Sequence, residues 1–445
     1  MPLETLFGTG SITAQDIVEA AEVAEETPFY FYDAPFIIGR CQEINKLKEG
    51  HNFLPRFAMK ANSNKAILQL IHQQGFGIDA SSLNEARRAK MAGIPYSAIM
   101  LTSQEVPEGK DRRDLEKMMK KGLKYNACSV RQLELIADYV ARKKIPVSIR
   151  VHPGEGGSGE SITRDTANPY SCFGIHISEF KSALEYASKR GVIVDHVHEH
   201  IGSGGNPEKW RSAIDRLTSI IEEHQNYLTH LQSINFGGGL KQGRMPDEQS
   251  ADAAELCTYA LDKVKSFAER CFGRNLRVEI EPGTYMVAMA GSLVTRIIDK
   301  KSTGKEGFNF IVSDGGMEVN SRPLYYGSRH PFAVVSSYGE LVSSECDLST
   351  VPKDSLWIPV GRCCESGDSQ SLDSSGNAVP RRMATPQIGN YFVIGGCGAY
   401  CSTMTPFNYN SHTRAPEVLK RASGEMQLIR ESQSLTDVVK GERSL

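Results

Sequence analysis

The chain has 445 residues, of which 40 % are hydrophobic and 23 % are charged, so we expect a folded protein with more than one domain and exclude a disordered chain. Lysine and arginine number 51 against 53 acidic residues, and the net charge of -2 excludes a general basic surface for nucleic acid or an anionic membrane. No signal-peptide pattern, bilayer-length apolar run or C-x-x-C pair is present, so we expect a cytoplasmic protein with reduced cysteines.

Short apolar runs alternate with longer helical patterns from about residue 56 onwards. We count eight such runs, seven of them followed by a helical segment: RFAMKA, GFGIDAS, IMLTS, KYNACS, PVSIRVHP, VDHVHEHIG, SINFGGG and LRVEIEPG. Segments such as VRQLELIADYVARK place apolar residues three and four apart, as in an amphipathic helix. An eightfold repeat of this kind favours a parallel (β/α)8 barrel, or TIM barrel, over an open sheet. The predicted barrel domain covers residues 35–288.

After about residue 290 the helical periods give way to strand-like runs separated by Gly, Ser, Pro and Asp. These runs are SLVTRIID, FNFIVSD, AVVSS, SLWIPVG and YFVIGGC, and PFYFYD near the N-terminus has the same character. We therefore predict a second, β-rich domain of the sandwich or barrel type, made of residues 289–445 and completed by residues 1–34. Residues 241–250 and 368–377 are predicted to be exposed loops.

Four features lie at the predicted C-terminal ends of barrel strands, where barrel enzymes place their reacting groups. Lys60 offers an amine, Glu281 a carboxylate, His200 an imidazole and Gly237–Gly239 a backbone that can approach an anion closely. An amine, a carboxylate and a phosphate site are what pyridoxal phosphate requires, because the carboxylate keeps the ring nitrogen protonated.

Each feature also has a structural interpretation. Three glycines can form a tight turn, and a strand-end lysine can lie at the surface. The alternating His196, His198 and His200 share one side of a strand and raise the possibility of zinc, although no further ligand lies convincingly beside them. Cys364, in GRCCESGD, is either a structural thiol or a proton donor.

In order along the chain, FAMKAN, HEHIGSG, NFGGGL, EPGT, CESGD, GAY and FNYNS resemble the motifs of the fold type III pyridoxal-phosphate-dependent decarboxylases. Within that family the pattern is most similar to the diaminopimelate decarboxylase group, over nearly the whole chain. The resemblance implies pyridoxal 5'-phosphate as cofactor, an amino-acid substrate, and a homodimer with shared active sites; from the residues themselves we expect no metal. It implies a carboxy-lyase that converts meso-diaminopimelate to L-lysine and CO2.

The resemblance also implies the roles of individual residues. Lys60 carries the cofactor, Glu281 pairs with the ring nitrogen, His200 stacks on the ring, and Cys364, supplied by the partner subunit, donates a proton. The implied cofactor-binding residues are Lys60, Asp79, His200, Ser203, Gly237, Gly238, Gly239, Glu281, Gly283 and Tyr400. The implied substrate-binding residues are Arg322, Tyr326, Glu365, Ser366 and Tyr400.

One position departs from the family pattern. Relatives read EPGR, with an arginine that helps to bind a substrate carboxylate or the phosphate, whereas this chain has Thr284. Threonine cannot supply a charged, bidentate donor. Either another cation substitutes, for which Arg329 is a candidate, or the substrate is another diamino acid or a carboxylated polyamine precursor. A racemase-like or non-catalytic cofactor-binding protein is the alternative of a different class.

Overall fold

The computed structural model describes residues 5–154, 166–202 and 206–445. These residues form two structural units. The barrel unit comprises the described residues of Arg40–Gln242 and Ser250–Tyr285. The β-rich unit comprises the described residues up to Gly39, with Gly243–Gln249 and Met286–Leu445.

Strands and helices are numbered separately in chain order. The strands are β1 (Phe29–Asp33), β2 (Phe53–Ala58), β3 (Gly77–Ala80), β4 (Ile99–Thr102), β5 (Lys124–Ala127), β6 (Val147–His152), β7 (Ile175–His176), β8 (Val194–His198), β9 (Ser233–Asn235), β10 (Arg277–Ile280), β11 (Gly291–Ser302), β12 (Asn309–Ser313), β13 (Phe332–Val335), β14 (Leu341–Ser344), β15 (Leu356–Val360), β16 (Arg381–Arg382), β17 (Tyr391–Ile394), β18 (Glu417–Lys420) and β19 (Met426–Arg430). The helices are α1 (Ala14–Ala24), α2 (Ala34–Asn45), α3 (Lys65–Gln73), α4 (Leu83–Met91), α5 (Gly109–Lys120), α6 (Val130–Lys143), α7 (Ile177–Lys189), α8 (Pro207–Glu223), α9 (Ala253–Phe272), α10 (Thr284–Val287), α11 (Arg322–Tyr326) and α12 (Leu435–Val438). Short 3-10 turns span Lys46–Lys48, Tyr96–Ala98, Gln225–Tyr227 and Tyr409–Ser411.

The barrel unit is a closed ring of eight parallel strands. Its order is β2, β3, β4, β5, β6, β8, β9 and β10, and β10 pairs with β2 to complete the ring. The short β7 adds to β6 outside the ring. The predicted (β/α)8 barrel is therefore confirmed, since all eight strands form where the apolar runs predicted them.

The helices between these strands follow from local sequence. In α6, the Ser129 side chain accepts a hydrogen bond from the Gln132 amide and caps the helix N-terminus. Leu133, Ile136 and Val140, three and four residues apart, are all buried. Because that spacing forms one apolar face, the helix packs on the strand layer with its charged side outward.

The β-rich unit is built on a mixed sheet in the order β14, β13, β17, β11, β1, β18 and β19. Strand β12 branches from β11 and pairs with β15, which pairs with β16. The N-terminal strand β1 lies inside this sheet, antiparallel to β11 and parallel to β18. The predicted β-rich fold is therefore confirmed, and a strand from the N-terminal segment lies inside its sheet.

Helix α1 packs against the same sheet and contacts β18 and β19. A capping box between Thr13 and Asp16 fixes its first turn. Ile17 and Ala20 are fully buried and join a core with the apolar sheet residues Phe29, Phe31, Val294, Val393 and Val418.

The prediction of an exposed loop at 368–377 is wrong for its first half. The side chains of Asp368, Ser369, Gln370, Ser371 and Leu372 are buried. Their polar groups have internal partners; Gln370 Oε1, for example, accepts from Asn320 Nδ2 at 2.9 Å. Hydrogen bonding thus allows a polar sequence to lie inside the unit. The other predicted loop, 241–250, is exposed in part only, since Asp247 is exposed and Gln242 is buried.

Candidate active site

In the barrel unit, the predicted site residues lie on or just after five adjacent strands. His200 follows β8, Gly237–Gly239 follow β9, Glu281 follows β10, Lys60 follows β2, and Asp79 lies near the end of β3. Since β8, β9, β10, β2 and β3 are successive neighbours in the parallel ring, their C-terminal ends lie side by side. The structure therefore brings these residues to one end of the barrel.

Glu281 is a buried carboxylate held by two neighbours. Its Oε1 accepts a hydrogen bond from Asn235 Nδ2 at 2.8 Å, and its Oε2 lies 3.2 Å from His198 Nε2. Burial by itself would raise the pKa of Glu281, but His198, Lys60 and Asn235 outweigh that effect and lower it. Glu281 is thus an ionised group inside the barrel end.

Asp79 has the opposite protonation preference. Burial and the negative charge of Glu281 raise its pKa well above the usual range, against a smaller opposing effect of Lys60. Its Oδ1 is buried without a hydrogen-bond partner in the described part of the chain. The pair therefore holds one ionised and one protonated carboxyl group in the same region.

Lys60 lies in the turn that follows β2. The adjacent Met59 amide donates to the Asp79 carbonyl at 3.1 Å, which fixes this turn to β3. Lys60 is exposed, and its positive charge shifts the pKa values of Asp79, His200 and Glu281. An exposed amine within electrostatic range of a buried carboxylate is available for covalent chemistry.

His200 is fixed as a neutral imidazole. The Gly238 amide donates to its Nδ1 at 2.8 Å, so this nitrogen carries no proton. Burial, together with the positive charges of Lys60 and Arg150, holds the pKa of His200 well below its usual range. A neutral ring in a fixed orientation suits the predicted stacking role.

The glycines after β9 leave no room for side chains. A Cβ on Gly237 would lie 2.6 Å from the Glu199 carbonyl oxygen, and one on Gly238 would lie 2.8 Å from the Glu281 carbonyl oxygen. A Cβ on Gly283 would lie 3.2 Å from the Ala61 Cβ. Gly237 and Gly238 require glycine because backbone oxygens approach them closely, whereas a side chain at Gly283 would press on neighbouring alanine side chains.

Two of the three amides in this turn already have partners inside the chain. The Gly237 amide donates to Asn235 Oδ1 at 2.8 Å, and the Gly238 amide donates to His200. Phosphate binding by these amides remains a prediction, and Ser203, predicted for the same role, lies outside the described residues.

The three histidines of β8 and its extension each contact a different partner. His196 lies 3.2 Å from Glu279 Oε1 and 2.9 Å from Asp195 Oδ1, whereas His198 contacts Glu281. Burial lowers the pKa of His198 and makes its neutral form more stable. The zinc alternative gains no support from these contacts, which assign each ring to a carboxylate or a backbone amide.

In the β-rich unit, Arg322 lies between two aromatic rings. Its guanidinium carbon is 5.5 Å from the Tyr326 ring centre and 5.9 Å from the Tyr400 ring centre. Arg322 is 6 % exposed, its Nη2 donates to Ser328 at 3.2 Å, and its Nε is buried without a partner among the described residues. Two of the predicted site residues, Tyr326 and Tyr400, thus lie beside a third, the Arg322 cation.

The CESGD segment presents Cys364, Glu365 and Ser366 at the surface of the same unit. Tyr409 donates to Glu365 Oε2 at 3.2 Å, and Asn410 accepts from the Cys364 amide at 2.9 Å. Hydrogen bonds, above all from the Gly367 amide, lower the pKa of Glu365 and favour its ionised form.

Several residues that support the site were missed at the sequence level. Asp368 is 5 % exposed and anchors the CESGD segment by accepting hydrogen bonds from the Met317 amide at 2.6 Å and the Cys363 amide at 2.7 Å. Asn235 was missed in the same way, although a polar residue at the end of an apolar strand is a usable signal. Trp210, whose Nε1 donates to the Gly238 carbonyl at 3.2 Å, had no such signal.

The barrel-end residues fit pyridoxal phosphate. An exposed amine, an ionised buried carboxylate, a neutral imidazole and a glycine turn too tight for side chains lie at one end of the barrel. Asp79 Oδ1 and His198 Nδ1 are further buried polar atoms in this region that have no hydrogen-bond partner among the described residues. Within the described residues, no helix is long and apolar enough to span a membrane.

Residues 37–288 match the family model described as the pyridoxal-binding domain of pyridoxal-dependent decarboxylases. Diaminopimelate decarboxylase of Escherichia coli (strain K12) is 31 % identical over 443 residues, which cover 98 % of both chains. The enzyme of that name from Methanothermobacter thermautotrophicus is 30 % identical over 95 % of this chain and 94 % of the relative.

Solved structures give the same result. A crystal structure of a diaminopimelate decarboxylase matches with a TM-score of 0.85 and 28 % identity over 98 % of both chains. The Helicobacter pylori diaminopimelate decarboxylase complexed with L-lysine matches with a TM-score of 0.77 and 26 % identity over 93 % of this chain and 96 % of that one. The chain therefore belongs to the family of pyridoxal-dependent decarboxylases.

Proposed function

We propose that this chain is a diaminopimelate decarboxylase, which removes CO2 from meso-diaminopimelate and leaves L-lysine. The observation that carries the proposal is the 31 % identity to the Escherichia coli diaminopimelate decarboxylase over 98 % of both chains. The similarity therefore extends beyond the cofactor-binding barrel into the β-rich unit.

When bound, pyridoxal phosphate supplies an electron sink for the electron pair left by the departing carboxylate. The residues proposed to hold it are Lys60, Asp79, His200, Ser203, Gly237, Gly238, Gly239, Glu281, Gly283 and Tyr400. Lys60 provides the covalent link. The ionised Glu281 stabilises a proton on the ring nitrogen, and the neutral His200 presents a flat face to the ring.

The β-rich unit is proposed to contribute the substrate-binding residues Arg322, Tyr326, Glu365, Ser366 and Tyr400. Arg322 binds the distal carboxylate of the substrate, and Glu365 binds the distal amine as an ionised partner. Cys364 delivers a proton to the substrate Cα after CO2 has left, for which its exposure is suitable. We further propose that Cys364 acts on the partner subunit's substrate in a cytoplasmic homodimer.

A second candidate function rests on Thr284, which begins α10 and stands where the EPGR pattern of the resembled family has arginine. A decarboxylase of a diamino acid with a single carboxylate has no need of that arginine. Lysine, ornithine and carboxylated polyamine precursors are substrates of this type. The two candidates differ in the number of carboxylates on the substrate.

The test is CO2 release by the purified holoenzyme from meso-diaminopimelate, with its LL and DD isomers, both enantiomers of lysine and ornithine, and arginine assayed in parallel. We expect release from the meso isomer and L-lysine as the product. Release from lysine or ornithine, with none from diaminopimelate, would establish the second candidate instead. Lys60→Ala is the inactive control and should also lose the covalently bound cofactor absorbance.

A further inference from the structure

Residues Gly243–Gln249 follow β9 in the chain but belong to the β-rich unit. They bring Arg244 against Gly396, whose carbonyl accepts a hydrogen bond from Arg244 Nε at 3.0 Å. A Cβ on Gly396 would lie 3.0 Å from the Arg244 side-chain carbons. The glycine therefore makes room for the arginine stem, and the backbone carbonyl orients its guanidinium.

Arg244 and Arg322 act on each other electrostatically within this unit. Burial, and next the positive charge of Arg322, lower the pKa of Arg244 to about 10. The same two arginines, after burial, hold the pKa of His330 well below its usual range. The neighbouring imidazole is therefore neutral and adds no further charge.

Both arginines have a donor that nothing in the described part of the chain accepts. Arg244 Nη2 and Arg322 Nε are buried without hydrogen-bond partners. Buried charged donors are costly when unpaired, and two like charges add repulsion. A carboxylate between them would accept from both and remove the repulsion, because guanidinium and carboxylate groups match in geometry.

The acidic groups near Arg244 are engaged elsewhere. Glu248 accepts from the Arg244 backbone amide at 2.9 Å and from Arg329 at 3.4 Å. The thiol of Cys401 donates to Asn320 Oδ1 at 3.4 Å. Neither group forms an ion pair with the Arg244 guanidinium among the described residues.

Arg329, the candidate raised from the sequence, is committed to other groups. It contacts Asp247 and Glu248, and its side chain is 44 % exposed. A surface arginine paired with two carboxylates is a poor carboxylate receptor. Arg244 is the better carboxylate receptor, because its buried Nη2 has no hydrogen-bond partner among the described residues.

We propose that Arg244 is a specificity-determining residue that binds the distal carboxylate of the substrate together with Arg322, and so replaces the guanidinium absent at Thr284. The inference rests on the proposed function and deepens it. It assigns to this chain a receptor for substrates with two carboxylates. A diamino-acid substrate whose only carboxylate is released as CO2 has no distal carboxylate for Arg244 to bind.

The test compares wild-type holoenzyme with Arg244→Gln, Arg244→Lys and the surface control Arg329→Gln. We expect Arg244→Gln to raise the KM for meso-diaminopimelate about 10- to 100-fold with little change in kcat. Arg244→Lys should restore part of the loss, since it keeps the charge without the fork. Arg329→Gln should match the wild type.

Two further measurements separate binding from folding. L-lysine, as the product, keeps the distal carboxylate, whereas the diamine cadaverine lacks it. Calorimetry should therefore find weaker binding of L-lysine and unchanged binding of cadaverine in Arg244→Gln. The thermal midpoint should not fall, because the substitution removes repulsion from Arg322. An equal loss of affinity for both ligands, or no loss for either, would overturn the role of Arg244.

The two proposals fail in different ways. If the wild type releases no CO2 from diaminopimelate, the proposed function is wrong. Calorimetric titration of meso-diaminopimelate into the same enzymes still tests Arg244. The carboxylate receptor is supported if Arg244→Gln binds meso-diaminopimelate more weakly than wild type while Arg329→Gln does not. It is refuted if Arg244→Gln and wild type bind equally, or if neither binds.

Discussion

His198 Nε2 lies 3.2 Å from Glu281 Oε2, and both side chains are buried. Two residues earlier on the same strand, His196 Nε2 lies 3.2 Å from Glu279 Oε1. The two pairs repeat the same contact between β8 and a carboxylate on or just after β10. Only the second carboxylate of the repeat, Glu281, lies among the proposed cofactor-binding residues.

Replacing His198 with leucine should impair catalysis through Glu281. His198 is the largest influence that lowers the pKa of Glu281 against burial, so its loss favours the protonated acid. We expect kcat/KM at neutral pH to fall about 10-fold and the acid limb of its pH profile to move to higher pH. His196→Leu is the matched control. It should lower the thermal midpoint without moving the profile, and equal profile shifts in both variants would contradict the assignment.

Replacing Cys364 with alanine should leave the fold intact and slow turnover. The side chain is exposed, so we expect an unchanged thermal midpoint. Loss of a proton donor should reduce kcat about 10²- to 10⁴-fold while substrate affinity is retained. The neighbouring thiol provides the control, because Cys363 donates to Glu318 and is not a proposed donor. If Cys363→Ala loses turnover and Cys364→Ala does not, the donor has been assigned to the wrong thiol.

Gly238→Ala should weaken cofactor binding. The added Cβ would lie 2.8 Å from the Glu281 carbonyl oxygen, and backbone atoms cannot rotate away as a side chain does. The turn after β9 and the strand end carrying Glu281 must therefore separate. Titration of the apoenzyme with pyridoxal phosphate should show at least about 10-fold lower affinity. Gly39→Ala, where a Cβ meets nothing within 4 Å, is expected to bind as the wild type does.

Glu199→Gln should change how stability depends on pH. Burial raises the pKa of Glu199 from 4.5 to about 8, against the positive charges of Arg216 and Arg150, and both carboxyl oxygens lack partners among the described residues. Between those values the folded state keeps a proton that the unfolded chain has lost. The free energy of unfolding therefore falls as pH rises from about 4.5 to 8, and the loss is complete above that range.

Urea unfolding between pH 5 and pH 9 measures this effect. Glutamine cannot ionise, so the variant should become progressively more stable than the wild type up to about pH 8, by an amount on the order of 3 kcal/mol. Above pH 8 the difference should stay constant. Parallel curves for the two proteins over the whole range would show that Glu199 is already ionised in the folded state.

Much of the architecture was predictable because the barrel strands are buried on both faces. Such strands appear in the sequence as apolar runs, and GIDA or IMLT is then recognisable without its partners. Recognising the strands also located their C-terminal ends, and therefore the site residues Lys60 and Glu281 and the glycine turn Gly237–Gly239. Strand β19, by contrast, is partly exposed along its whole length and gave too weak a pattern to be recognised.

The contacts between distant segments were not predictable. Nothing in the sequence distinguishes Arg244 from Arg329 as a cation for a ligand, since both lie in polar stretches. The fold distinguishes them, because the Arg329 guanidinium contacts the carboxylates of Asp247 and Glu248. Similarly, Asp368 ends a polar motif, and its buried carboxylate accepts from the amide of Met317, which tertiary structure alone places beside it.

Strand β1 has a consequence for the order in which the molecule assembles during synthesis. Tyr30 pairs with Glu417, so the parallel neighbour of β1 leaves the ribosome only after nearly the whole chain has been made. All eight barrel strands emerge earlier, and the barrel can therefore close first. The aromatic segment FYFYD can pair with β11 once that strand has emerged, but its other edge stays unpaired and open to wrong partners until β18 completes the sheet in the last stage of folding.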